Sequence, residues 1–184
     1  MAVTVERAVA VTGRTARAES IVAAALDILE SEGPEGLTMR HLAEAIGIRA
    51  PSLYKHFPDK AAVELVLIEH GFTVAALAFE DAFARNGATL ETFMVTYRAV
   101  ALAHPHLYRL INGGPLPTEA RMPGIQGRTA ALLSRVLPKP ELALAAFAFA
   151  HGMTILELDD RFPPGADLDA AWRAGTQALQ AAAG

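Results

Sequence analysis

The side chains best placed to do chemistry lie between Thr38 and Lys60, in the run TMRHLAEAIGIRAPSLYKHFPDK. Ser52, Tyr54, Lys55 and His56 crowd together there around a single apolar Leu53, with no acid among them. Arg40 precedes this group and Lys60 follows it. Hydroxyls, an imidazole and three cations donate hydrogen bonds and attract negative charge, so they suit holding a polyanion. Catalytic patterns are missing from the sequence: it has no nucleophile elbow, P-loop, Gly-rich dinucleotide turn or His-Glu-x-x-His. His104 and His106, with His151 and Glu157, could be drawn around a metal, but His-x-His at a helix break is a poor ligand spacing. The reading is therefore no catalytic residue, no metal site, no cofactor and no enzyme.

Two short helices across a tight turn must position those groups. Thr38 is a good N-cap, since its hydroxyl can accept from an orphan amide of the helix that follows. Leu42, Ala43 and Ile46 fall on one side of that helix, and His41 and Glu44 on the other, at the spacing of a buried stripe. Gly47 is the stop, because the residue after a helix often needs the left-handed region. Ile48 turns inward, and Pro51 opens a second helix running to Phe57, with Leu53 and Phe57 toward the core. Pro58 ends that helix, and Asp59 can cap the next. A lysine at position 60, in a first helical turn where negative charge is usual, suggests a nearby anion. On spacing alone this is either a helical hairpin with a solvated polar face or a helix–turn–helix that lays its second helix in the DNA major groove.

The residues in register go further than the spacing. Glu32-Gly33, Gly36-Leu37-Thr38, Leu42-Ala43, Gly47-Ile48, Ala50-Pro51-Ser52-Leu53-Tyr54, His56-Phe57 and Asp59-Lys60 together resemble the DNA-binding domain of the TetR family of bacterial transcriptional regulators. The resemblance covers residues 15 to about 75 and implies an all-α protein. It would have an N-terminal three-helix head and a long helix leading into a helical ligand-binding and dimerisation body. It also implies which side chains meet DNA. Arg40 matches a position that reaches a base or phosphate; Ala50, Pro51, Ser52 and Lys55 match groove-facing positions; Tyr54, His56 and Lys60 match phosphate clamps, with Thr38 as the cap. Ala50 has no side-chain donor, so sequence preference would rest on Arg40, Ser52 and Lys55.

Composition allows this. With 184 residues, 52% of them apolar and 20% charged, the chain can fill one ordinary domain or a small module fused to a larger one. There is no cysteine, so there is no disulfide or thiolate site, which fits a reducing interior. The net charge of −4 hides a local excess: Arg40, Arg49, Lys55 and Lys60 outnumber Glu44 and Asp59 within residues 38–60. The opening MAVTVERAVAVTGRTARAES is broken by Glu6, Gly13 and Arg14 and does not read as a signal peptide. The apolar run Leu142–Leu156 reads as too short to cross a bilayer. The expectation is a cytoplasmic protein with no membrane partner.

Taken in order, residues 1–14 read as a flexible tail, with Arg7, Arg14 and Arg17 near enough to approach a DNA backbone or simply solvated. Residues 15–75 are the expected DNA-binding domain, with its motif at about 38–57, and residues 76–184 the body. A helix is predicted over 15–31 and a long one over 59–85 that would act as a lever between the two. Further helices are predicted over 89–103, through Leu107 to Ile111, over 124–136, over 141–161 and from Asp167 onward, with a loop over 115–123. The helix over 141–161 is apolar nearly all round, which signals burial on more than one side. Its Ala145, Phe149, Gly152 and Leu156, with Leu168, Trp172 and Gly175 of the last helix, are the candidate dimer interface. The resemblance implies a four-helix dimer contact there and a ligand pocket among the middle helices. Phe93, Tyr97, Tyr108, Met122, Phe147, His151 and Trp172 are candidate pocket residues, each open to plain core packing instead. Two tyrosines and a histidine on an apolar wall suit a small hydrophobic effector, while Arg98 and Arg109 are expected at the surface.

The expected function is a homodimeric repressor that leaves a palindromic double-stranded operator on binding that effector. The competing reading is a ligand-binding or metal-dependent protein that has kept the fold but not operator binding.

Overall fold

The computed structural model describes residues 15–115 and 125–184, and among these it contains nine helices and no strand. Helix α1 (Ala16–Gly36) opens where Thr15 Oγ1 accepts from the Ala18 N–H at 3.3 Å. It breaks at Gly33, whose φ of 76° only glycine takes without strain. Helix α2 (Met39–Ala45) starts on Thr38, whose Oγ1 accepts from the His41 N–H at 3.1 Å, and Gly47 leaves it at a φ of 66°. Helix α3 is only Ala50–Leu53, shorter than the predicted 51–57. Pro58 disfavours helical backbone only at Phe57, and the chain already turns through Tyr54–His56 before it. Phe57 is still drawn inward, its N–H bonded to the Leu53 carbonyl at 3.0 Å. Helix α4 (Lys60–Asn86) follows, with Asp59 Oδ1 accepting from the Ala62 N–H at 2.8 Å. Helices α5 (Leu90–Ala103), α6 (Pro105–Asn112), α7 (Ile125–Val136), α8 (Pro140–Leu158) and α9 (Leu168–Ala183) complete the chain.

Contacts divide the molecule into two units. The first holds the described residues up to Val74 together with those of His104–Gln126. Its core is Ile21, Leu29, Leu37, Leu42, Leu53, Leu67 and their neighbours, each fully buried leucine contributing about 1.5–3 kcal/mol. Helix α6 packs on α1 and adds Leu107 to this core. It begins on a borrowed cap. The side chain of His104 makes no capping bond, and Glu30 of α1 accepts instead from the N–H groups of Leu107 (2.9 Å) and His106 (3.4 Å). Helix α6 crosses α4 at Gly71, where any added Cβ would run into Ile111 and Leu107.

The second unit holds Ala75–Ala103 and Gly127–Gly184. Phe79 and Phe93 stack at its centre with ring centroids 4.5 Å apart, surrounded by Phe83, Leu90, Met94, Leu132, Leu133 and Leu137. Helix α9 is capped by Asp167, whose Oδ1 accepts from the Ala170 N–H at 2.8 Å. Helix α8 turns small residues inward: Ala146, Ala150 and Thr154 are all completely buried. Its other sides stay open, with Leu144 71% and Phe147 45% exposed. The helix is 19 residues long, extending past Leu156, so by length and composition both α4 and α8 could cross a membrane. The predicted tail, with Arg7 and Arg14, and the loop over 116–123, with Met122, lie outside the described residues.

Candidate nucleic-acid interface

Each helix of the first unit has a buried and an exposed side, and the residues singled out for DNA fall on the exposed one. Leu42, Ala43, Leu53 and Phe57 are buried, while Thr38, Arg40, Pro51, Ser52, Tyr54, Lys55 and His56 are exposed, Tyr54 by 50%. Ala50 is half-buried at the first turn of α3. From Pro51 to His56 the outward surface therefore presents a hydroxyl, a phenol, an ammonium and an imidazole, and no carboxylate. Thr38 spends its hydroxyl on the α2 cap.

Two cations have partners that the spacing did not announce. The Arg40 guanidinium donates through Nε to Glu44 Oε1 at 2.9 Å, one helical turn on, with side chains 88% and 61% exposed. That hydrogen bond first, and the charge of Glu44 second, raise the Arg40 pKa above its already high ordinary value. Lys60 donates from Nζ to the Pro34 carbonyl at 2.9 Å and lies 3.5 Å from Glu64. The lysine in that first turn therefore has an acceptor and a carboxylate neighbour within the chain. His41 also closes on this turn, with Nδ1 3.1 Å from the Gly36 carbonyl and 3.5 Å from Glu32. Among the described residues, no ion pair takes up Arg49 or Lys55.

In the second unit the structure brings some of the proposed pocket residues together and separates others. Phe93, Tyr97, Phe147 and His151 form a string of rings: Phe93 to Tyr97 at 6.1 Å, Tyr97 to Phe147 edge-on at 6.3 Å, and Phe147 to His151 at 6.1 Å. Tyr108 is buried on α6 in the first unit. Trp172 is only 5% exposed and packs edge-on against Phe149 at 5.6 Å. Gly175 lies directly under the Phe149 ring, which a Cβ would strike. Trp172, Phe149 and Gly175 thereby join α8 to α9 within one chain. Ala145 stays exposed, Leu156 and Leu168 are half-buried, and nothing lies within 4 Å of a Cβ built at Gly152.

The expectation of a surface Arg98 is corrected. Its guanidinium donates to Glu157 through Nε at 2.9 Å and Nη2 at 2.7 Å, and through Nη1 to Asp169. The pair is only 23% and 13% exposed. Trp172 Nε1 donates to the same Glu157 at 3.2 Å, and Arg98 Cζ lies 5.8 Å from the Trp172 ring. One cation therefore ties α5, α8 and α9 together. The Glu157 hydrogen bond is the largest cause of its raised pKa, and its own hydrogen bond and charge lower that of Asp169. No spacing in the sequence signals this, because the partners of Arg98 are 59 and 71 positions away.

A capped helix, a glycine turn and a short second helix with an outward donor surface define a helix–turn–helix protein. The pattern of the bacterial regulatory proteins of the tetR family matches residues 21–65, and that of the tetracyclin repressor-like C-terminal domain matches residues 90–179. An HTH-type transcriptional regulator of Mycobacterium tuberculosis is 33% identical over 153 residues, covering 76% of this chain and 69% of that one. The class D tetracycline repressor of Escherichia coli is 35% identical over 94 residues, 47% of this chain and only 43% of the repressor. Among solved structures, a protein of unknown function from Rhodococcus superposes with a TM-score of 0.78 at 23% identity, over 94% of this chain and 98% of that one. A TetR variant from Acinetobacter baumannii, solved in complex with minocycline, superposes with a TM-score of 0.56 at 23% identity, over 89% and 93% of the two chains. The chain belongs to the TetR family of transcriptional regulators.

Proposed function

We propose that the protein is a homodimeric repressor that reads a palindromic double-stranded operator with α2 and α3 and releases it on binding a small hydrophobic molecule. The observation that carries DNA reading is the exposed run Ser52, Tyr54, Lys55 and His56, free of carboxylates, on a helix whose Leu53 is anchored in the core. Tyr54 and His56 grip phosphate, while Arg40, Ser52 and Lys55 face base edges. Two chains pair through the outer faces of α8 and α9, where Leu144, Ala145 and Gly152 meet their symmetry mates beside the exposed Ala171, Ala174 and Ala178. Only 17% of the most apolar stretch of α8 is buried within one chain, so that face needs a cover. A second chain provides it at lower cost than a bilayer, which would also have to accept Glu141 and Glu157. The aromatic string from Phe93 to His151 is the candidate effector wall, and the relative solved with minocycline supports a molecule of drug size. Such a molecule displaces DNA only if it binds the DNA-free shape more tightly. The chain acts in the cytoplasm, where its operator is.

A gel shift with the DNA flanking its own gene tests this. Wild type should retard the fragment and Lys55→Ala should weaken the shift, whereas no retardation at any protein concentration contradicts DNA reading.

A further inference from the structure

Glu44 is the one acid on the outward side of α2, and its position relative to Arg40 is specific. Its Oε1 takes the Nε hydrogen of Arg40 at 2.9 Å. No other hydrogen bond of that guanidinium is present among the described residues, so the edge formed by its two terminal nitrogens is open. That edge is the one that can meet a planar pair of acceptors, and in the major groove guanine offers O6 and N7 in just such a pair. An arginine held by Nε loses rotamer freedom before DNA arrives, so less ordering remains for the encounter. Both side chains are largely exposed, 88% and 61%, so the pair adds little to folding, and its place on the reading side calls for another explanation.

We propose that Glu44 is a positioning residue for DNA reading: it buttresses Arg40 so that the open guanidinium edge selects guanine at one position of each half-site. This rests on the DNA-reading function proposed above. The charge of Glu44 contributes a second effect. A carboxylate near the phosphate backbone is repelled by it whatever the sequence, so Glu44 also lowers affinity for all duplexes alike.

The test uses the full chain and a pool of randomised duplexes, from which wild type, Glu44→Ala, Glu44→Gln, Arg40→Ala and the double variant each select binders. Circular dichroism first establishes that all five are folded. Wild type should enrich a guanine whose preference over the other bases is about 5–150-fold, the range of one bidentate contact. Glu44→Ala should cut that preference by about two- to fivefold, the range open to an exposed pair one helical turn apart. Glu44→Gln, which keeps an acceptor and drops the charge, should retain part of it while binding all duplexes more tightly. Arg40→Ala should abolish it, and the double variant should match Arg40→Ala alone. An unchanged guanine preference in Glu44→Ala overturns the proposal, as does an effect of Glu44→Ala that persists without Arg40. If wild type enriches no sequence at all, DNA reading itself fails and the proposal falls with it, an outcome distinct from either of those.

Discussion

The two units treat their outward surfaces in opposite ways. In the first, each helix of the motif hides its apolar residues and shows donors: Leu53 is fully buried between Ser52 and Tyr54, which are exposed. In the second, α8 hides alanines and a threonine and shows Leu144 and Phe147. Polar donors facing water cost nothing and wait for an anion; large apolar side chains facing water are unfavourable and call for an apolar cover. The difference is that the first surface suits an anionic ligand and the second an apolar cover.

Substitutions can sharpen or break that contrast. The largest effect is expected at Gly152, where a side chain meets no heavy atom within 4 Å in one chain. Gly152→Arg should leave the protomer folded yet cost the dimer about 3–5 kcal/mol by placing a charge in an apolar contact. Light scattering at micromolar concentration should then report monomers; a persisting dimer removes this face of α8 from the interface. Next comes Arg98→Ala, which strands Glu157 with only the Trp172 N–H as partner. Because Arg98 is 23% exposed, the loss should fall somewhat below that of a fully buried pair, at about 2–3 kcal/mol of unfolding free energy, read by denaturant titration.

Smaller effects are expected in the first unit. Glu30→Ala removes the borrowed cap of α6 and should cost about 1 kcal/mol, with faster hydrogen exchange at the Leu107 amide. Unchanged exchange there would show that packing on Gly71, not the carboxylate, fixes α6. Gly47→Ala should cost about 1 kcal/mol by forcing a φ of 66° on a residue with a Cβ, although space around it is free. The smallest effect is one of pH. Arg98 holds the Asp169 pKa below the usual carboxylate value. A depressed carboxylate adds stability above its unfolded pKa and loses it as pH falls through the folded one. Acidification below about pH 4 should therefore weaken the second unit, and Asp169→Asn should flatten that slope.

The first unit was the more legible in sequence because its determinants are local. Thr38, Gly47 and Asp59 act within a few residues of themselves, and the structure finds each cap or turn where its residue type required it, whereas Gly33 kinks α1 without ending it. The spacing predicts a second helix to Phe57, whereas α3 ends at Leu53; Pro58 restrains only Phe57, and no local residue type marks the earlier turn. What stayed hidden depends on residues far apart in the chain. No spacing rule joins Lys60 to the Pro34 carbonyl, Glu30 to the start of α6, or Arg98 to Glu157 and Asp169. The face of α8 was ambiguous for a related reason. A helix apolar all round carries no periodic signal; the burial of Ala146, Ala150 and Thr154 and the Phe149 ring over Gly175 show which flank its own chain takes.

The central claim joins the two surfaces: a paired body that presents two reading heads to one duplex. Hydroxyl-radical footprinting on a duplex selected from a random pool, with the protein–DNA stoichiometry measured on the same sample, tests it most directly. The account predicts two protected patches related by a two-fold axis, with centres about 34–36 Å apart or a little more, and two chains per site. A single protected patch bound by one chain, or two patches that Gly152→Arg leaves unchanged, would contradict it.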